Sequence, residues 1–143
     1  MNKKSFLALV VLVFLSTIAF SQQNVKKDYI KLLQGTWKVD SLEIGSFNLS
    51  PQYEEIVRQK MPEIIANTEV QFNPRKRYYK RGFEGETEGT WDVSDDGKYI
   101  LVKLNGESGI TKTKIVSISE DKLVIAPDDP KSANSRAYMY KAD

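Results

Sequence analysis

From Thr68 to the end of the chain, apolar residues recur at alternate positions in short runs separated by turn residues. A period of two places every second side chain on one face of an extended backbone, so each run reads as a strand with one face turned to a common core. Strands are expected over 68–73, 76–83, 87–93, 98–104, 111–119, 122–126 and 136–141. The segments between them have turn chemistry: Asn73-Pro74, Glu84-Gly85-Glu86, Asp95-Asp96-Gly97, Asn105-Gly106, Glu120-Asp121 and the looser Pro127–Asn134. An earlier strand is expected over Thr36–Ile44. There Trp37 and Val39 share one face and Leu42 and Ile44 the other, which calls for a bulge or bend near Asp40-Ser41. Eight short antiparallel strands in so small a chain should close on themselves, because closure removes exposed edges. The fold class is therefore mainly β, an eight-stranded antiparallel up-and-down barrel.

One segment breaks the pattern. Tyr53, Ile56, Val57, Met61, Ile64 and Ile65 recur at three- and four-residue spacing, which makes one apolar helical face. Ser50 suits the N-cap and Pro51 the first helical position, while Pro62 should kink or divide the helix near Met61. This helical insertion, 51–66, follows the first strand and reads as a lid on the barrel mouth. Upstream, Gln22–Lys27 is a polar lead-in, and Asp28–Gln34 reads as a short helical turn stopped by Gly35.

The first 21 residues have the parts of a cleavable export signal. Lys3 and Lys4 are followed by an apolar run from Phe6, and Ala19-Phe20-Ser21 places small residues at the cleavage positions. The run Phe6–Phe20 is shorter than the ~20 residues needed to span a bilayer. With no Cys in the chain, lipid attachment at the junction has no acceptor, so no stable membrane anchor is expected. The chain then divides into a signal over 1–21, a lead-in and helical turn over 22–34, and the barrel over 35–143. Its destination is the periplasm or the exterior. The whole chain carries 21 Lys+Arg against 19 Asp+Glu, and two of the lysines leave with the signal. The remainder is formally neutral and lacks a long-range field to gather nucleic acid. Cys and His are both absent. Packing alone must hold the fold, and Ser–His, Cys–His and zinc chemistries are excluded.

Gly35-Thr36-Trp37-Lys38 on the first strand resembles the Gly-x-Trp signature of the calycin superfamily: lipocalins, fatty-acid-binding proteins and small exported bacterial lipocalin-like domains. Arg136-Ala137-Tyr138 on the last strand is similar to the late Arg-x-Tyr of fatty-acid-binding proteins and to the late Arg that packs across the Trp in lipocalins. The resemblance implies a barrel that binds a small hydrophobic or amphipathic molecule, with Gly35, Trp37 and Arg136 as structural signature. The helix after strand one is the arrangement of fatty-acid-binding proteins. The strand count, eight and not ten, and the signal fit the lipocalin-like branch better.

Pairing Phe83 with Thr87 sets Arg81 opposite Gly89 and Tyr79 opposite Trp91. Tyr79, Arg81, Phe83, Trp91 and Val93 then face inward, and Tyr78, Lys80 and Glu88 face solvent. On that register Tyr79, Arg81, Phe83, Trp91, Arg136 and Tyr138 are the candidate ligand-binding residues. The arginine forks would hold an acidic head, and Val70, Phe72, Ile100, Val102, Leu123 and Ile125 would cover the tail. Two alternatives stand beside this. Arg136 could stack on Trp37 to close the barrel, and a one-residue slip would turn Arg81 to solvent. The basic run Arg75–Arg81 is followed at once by Glu84, Glu86 and Glu88, and alternation sends its charges to opposite faces, so no nucleic acid is expected as partner. Asp95-Asp96 and Asp128-Asp129 lack the alternating spacing of a calcium loop and read as turns. No carboxylate pair suggests acid–base catalysis, so the expectation is a binding protein without enzymatic activity, metal or cofactor. A second function class remains open: an interaction module with a solid core, acting through Ile44–Leu49 and Pro127–Asn134 as an envelope-complex subunit or an inhibitor of another exported protein.

Overall fold

The computed structural model describes residues 24–45, 50–132 and 134–142. The expected export signal over 1–21 lies outside them. Residues 24–33 form a helix, α1, so the anticipated turn over Asp28–Gln34 begins earlier, inside the polar lead-in. Eight strands follow: β1 (Gly35–Glu43), β2 (Glu69–Asn73), β3 (Arg77–Gly82), β4 (Gly85–Val93), β5 (Tyr99–Leu104), β6 (Thr111–Ile118), β7 (Lys122–Pro127) and β8 (Arg136–Lys141). Each pairs antiparallel with the next, and β8 returns to β1, closing the barrel. A second helix, α2 (Pro51–Asn67), lies between β1 and β2. Among the described residues no helix is long and apolar enough to cross a membrane.

The bulge in β1 stands where the alternation placed it, between Val39 and Ser41. It turns both Asp40 and Ser41 outward and returns Leu42 to the inner side, opposite Ala137. A second bulge, between Ile115 and Ser117 of β6, does the same for Ile118. The inward set contains Trp37, Val39, Val70, Phe72, Trp91, Val93, Ile100, Ile115, Leu123 and Met139, all buried in one cluster with Leu33 of α1.

The hairpin β3–β4 departs from the sequence reading. Gly82 pairs with Gly85 and the turn is the two residues Phe83-Glu84, so Tyr78 lies opposite Gly89, Tyr79 opposite Glu88 and Arg81 opposite Glu86. The offset from the expected register is odd, and an odd offset exchanges the faces of a strand. Tyr78, Lys80 and Gly82 therefore share the inner side with Gly89 and Trp91, while Tyr79 and Arg81 face out.

Helix α2 also differs from expectation. It runs unbroken through Pro62 rather than dividing there, and Ser50, although at the N-cap, makes no side-chain cap hydrogen bond. The first turn is held by the Ser50 carbonyl accepting from Tyr53 N and Glu54 N. No residue of α2 is buried. Its C-terminal Ile65 packs against the core cluster, but Tyr53 and Ile56 are exposed, so only the second half covers the barrel.

Candidate ligand-binding site

One end of the barrel is shut. The start of β1, the end of β8 and the turns after β2, β4 and β6 meet there, with α1 across them. Trp37 is fully buried, and its indole N–H donates to the Leu33 carbonyl at 2.8 Å. Lys141, paired with Trp37 across β1–β8, has Nζ 4.9 Å from the ring centroid and donates to the Leu32 and Gln34 carbonyls at 2.8 and 3.0 Å. These contacts satisfy carbonyls that the C-terminus of a helix leaves without intrahelical partners. Lys26 ties the other end of α1 to Asp95 at 3.0 Å and to Asp92 at 3.7 Å. Burial by itself would raise the Asp92 carboxyl, but hydrogen bonds from Lys76 and the Val93 N–H, with the charge of Lys26, hold it below the usual range.

Above this floor is a cavity of about 310 Å³. Val70, Phe72, Ile100, Val102, Leu123 and Ile125, the residues expected to cover an apolar tail, all line it. Its polar contributors are Tyr78, Lys80, Thr68 and Thr113. The Thr68 hydroxyl is engaged, donating to the Ile64 carbonyl at 2.6 Å. Trp91 does not line the cavity. It is 2% exposed, packed edge-on to Phe72 at 5.2 Å, and donates to the Asn73 carbonyl at 3.0 Å.

Among the described residues two clefts adjoin the open end. The first is a cleft of about 610 Å³, sharing Leu42, Thr113, Ile125 and Ala137 with the cavity. It exists because the β7–β8 ladder stops at Ile125–Ala137, while Arg136 pairs with Glu43 of β1 and Ala126 and Pro127 pair only with β6. Asp128, Asp129 and Ser132, from the segment offered as an interaction surface, form its rim. The second outlet, about 360 Å³, lies between α2 and the β3–β4 hairpin and shares Ile64, Thr68 and Lys80 with the cavity.

The expected anchors lie elsewhere. Arg81 is on the outer face, 3.4 Å from Glu69. Tyr79, also outside, donates to Glu86, which raises its pKa. Phe83 is the exposed hairpin tip beside α2, with Lys60 over its ring at 5.6 Å. Arg136 sits at the rim of the larger cleft, at the opposite end of the barrel from Trp37, so it cannot stack there. Lys141 takes that role five residues later. Tyr138 faces out and donates to Glu43, which raises its pKa. Gly35 opens β1, and Trp37 two residues later is fully buried. The acidic pairs are turn residues: Asp96 accepts from Ser94 Oγ and Lys98 N, and Asp129 from Lys131 N.

The chain matches the model of the lipocalin-like domain family over residues 33–125. The chain belongs to that family. It is similar in structure to a DUF4847 family protein from Bacteroides vulgatus, with TM-score 0.52 and 12% identity, covering 78% of this chain and 94% of that one. It is also similar to a lipocalin-like protein from Bacteroides uniformis, with TM-score 0.50 and 11% identity over 77% and 98% of the two chains. At such identity the likeness is one of fold. No functionally curated protein matches the chain.

Within this lipocalin-like domain, sequence reasoning missed Tyr78 and Lys80, which the assumed hairpin register sent to solvent. Burial pushes the Tyr78 hydroxyl up to about 12. A raised acid pKa keeps its proton in the folded chain after the unfolded chain has lost it. Stability should therefore fall as pH rises between about 10 and 12, by about 2–3 kcal/mol from this residue. Tyr78→Phe should remove that part of the loss. Denaturant unfolding of both proteins through this window checks it, and a wild-type-to-variant difference independent of pH would sink the assignment.

Proposed function

We propose that this protein is an exported binder of a small apolar or amphipathic molecule, held inside the barrel and reached from its open end. One observation carries the reading: the barrel holds a cavity of about 310 Å³ whose wall shares four residues with an open cleft. That volume reaches the ~300 Å³ lower bound of small-molecule pockets. An eight-stranded barrel can be filled by its own side chains, so the unfilled interior is a specific feature and not a consequence of strand number. The lining suits such a ligand, with an aliphatic and aromatic wall and few polar groups at one side. Membership of the lipocalin-like family supports the same class.

Organic extraction of the natively purified protein, followed by mass spectrometry, should release an apolar or amphipathic molecule in near-stoichiometric amount. The emptied protein should bind a neutral apolar dye such as Nile red. An extract without any such molecule, together with no dye binding, would end this reading. The intact mass of the same preparation reports whether Met1–Ser21 has been removed, as export requires.

A further inference from the structure

The cavity wall is mostly apolar, and one cation, the solvent-exposed Lys80, stands at its edge. Lys80 lies opposite Val70 of β2, a buried inward residue, and opposite Thr87 of β4, so its stem starts on the inner side. It lines both the interior cavity and the outlet between α2 and the hairpin. Gly82, next on that face, leaves the space above the stem open: a Cβ there would meet nothing nearer than Lys80 Cε at 3.8 Å. Among the described residues Lys80 has no hydrogen bond or ion pair, whereas nearby Arg81 and Lys60 are matched with Glu69 and Glu63. Glu84 lines the outlet but not the cavity. The Tyr78 ring is tilted against Phe72 at 5.8 Å, and its hydroxyl likewise has no partner among the described residues.

We propose that Lys80 selects the charge of the ligand: the molecule carries one acidic head, which pairs with the ammonium where cavity and outlet meet, while its apolar tail fills the barrel. This rests on the pocket reading above and adds to it the ligand's chemical class and orientation. An ammonium beside an apolar cavity gains little from a neutral ligand and repels a cationic one. An anion entering the same cavity alone would lose its hydration without return, so it enters only with a counter-charge. Lys80 is that counter-charge, and the Tyr78 hydroxyl can donate a second hydrogen bond to the same head. Arg136 does not compete for this role. It sits across the mouth, on the rim of the other cleft, paired in the β1–β8 ladder with Glu43.

The test is displacement of Nile red from the natively purified protein by dodecanoate, dodecanol and dodecylammonium at neutral pH, in wild type, Lys80→Met, Lys80→Arg and Arg136→Met. Charge-assisted hydrogen bonds are the stronger kind, so dodecanoate should bind about tenfold or more tighter than dodecanol. Dodecylammonium should bind weakest. Lys80→Met should erase the preference while leaving dodecanol within about twofold of wild type, which also shows that the variant is folded. Lys80→Arg and Arg136→Met should keep the preference. Equal binding of acid and alcohol in wild type, or an acid preference that survives Lys80→Met, would overturn the assignment and leave the pocket standing. If none of the three displaces the dye, and Nile red itself does not bind, the pocket reading falls and the charge assignment with it.

Discussion

Trp37→Ala is expected to lower the unfolding free energy by about 4 kcal/mol, the middle of the range for a buried aromatic truncation. Domains of this size are stable by only ~5–15 kcal/mol, so the variant should lose from about a quarter to most of its stability. Trp37 does more than fill volume. Its ring is fully buried beside Leu33, its N–H satisfies the Leu33 carbonyl, and its face supports Lys141, which holds two further carbonyls at the end of α1. Truncation opens a void, leaves an acceptor without its donor and removes the surface under the ammonium. These effects share one location, so α1 should loosen before the barrel does. Hydrogen exchange over residues 24–33 should accelerate more than exchange in β4 and β5. Trp37→Phe keeps most of the packing and loses the hydrogen bond, at a cost of about 1–2 kcal/mol. Guanidinium unfolding of the three proteins decides the point; a loss below about 1 kcal/mol for Trp37→Ala would mean that α1 and the indole do not close this end together.

The parts of this fold legible in sequence were those governed by local periodicity. Eight strands, their order and the β1 bulge follow from which residues alternate and where alternation fails. What alternation does not set is the offset between neighbouring strands. Around Phe83-Glu84-Gly85 a two-residue and a three-residue turn are both compatible with the composition, and the choice decides whether Arg81 or Lys80 enters the barrel. A readable signal was present: Gly82 and Gly85 bracket a two-residue turn, and Gly85 adopts φ +116°, a conformation open to glycine. The apolar tail-covering residues were placed correctly because each lies in a strand whose buried partners leave its parity in no doubt. The anchors were misplaced because they lay beside the ambiguous turn or were chosen by motif. Arg136 matched a short pattern, but the residue over Trp37 is fixed by pairing across the closing strands, and counting that ladder leads to Lys141.

Gly89→Ala should cost about 3 kcal/mol although it adds a single methyl group, at the upper end of ordinary overpacking. Gly89 is paired with Tyr78 on one side and with Leu104 on the other. A Cβ at this position would stand 2.1 Å from the Lys103 carbonyl oxygen and 2.9 Å from Leu104 Cα. Both are backbone atoms and cannot rotate away as a side chain can, so β5 itself must retreat. Its retreat would stretch the last rungs of the β4–β5 ladder, including Asn105 N to the Glu88 carbonyl at 2.9 Å. It would also disturb Tyr78, the cavity residue directly opposite. Gly109→Ala is the matched control, because a Cβ there meets nothing within 4 Å and the backbone needs no positive φ. That change should stay within about 0.5 kcal/mol of wild type. Urea unfolding compares the two, and Nile red binding should weaken in the first variant and not in the second. Equal stability of both would show that β5 does not press on Gly89.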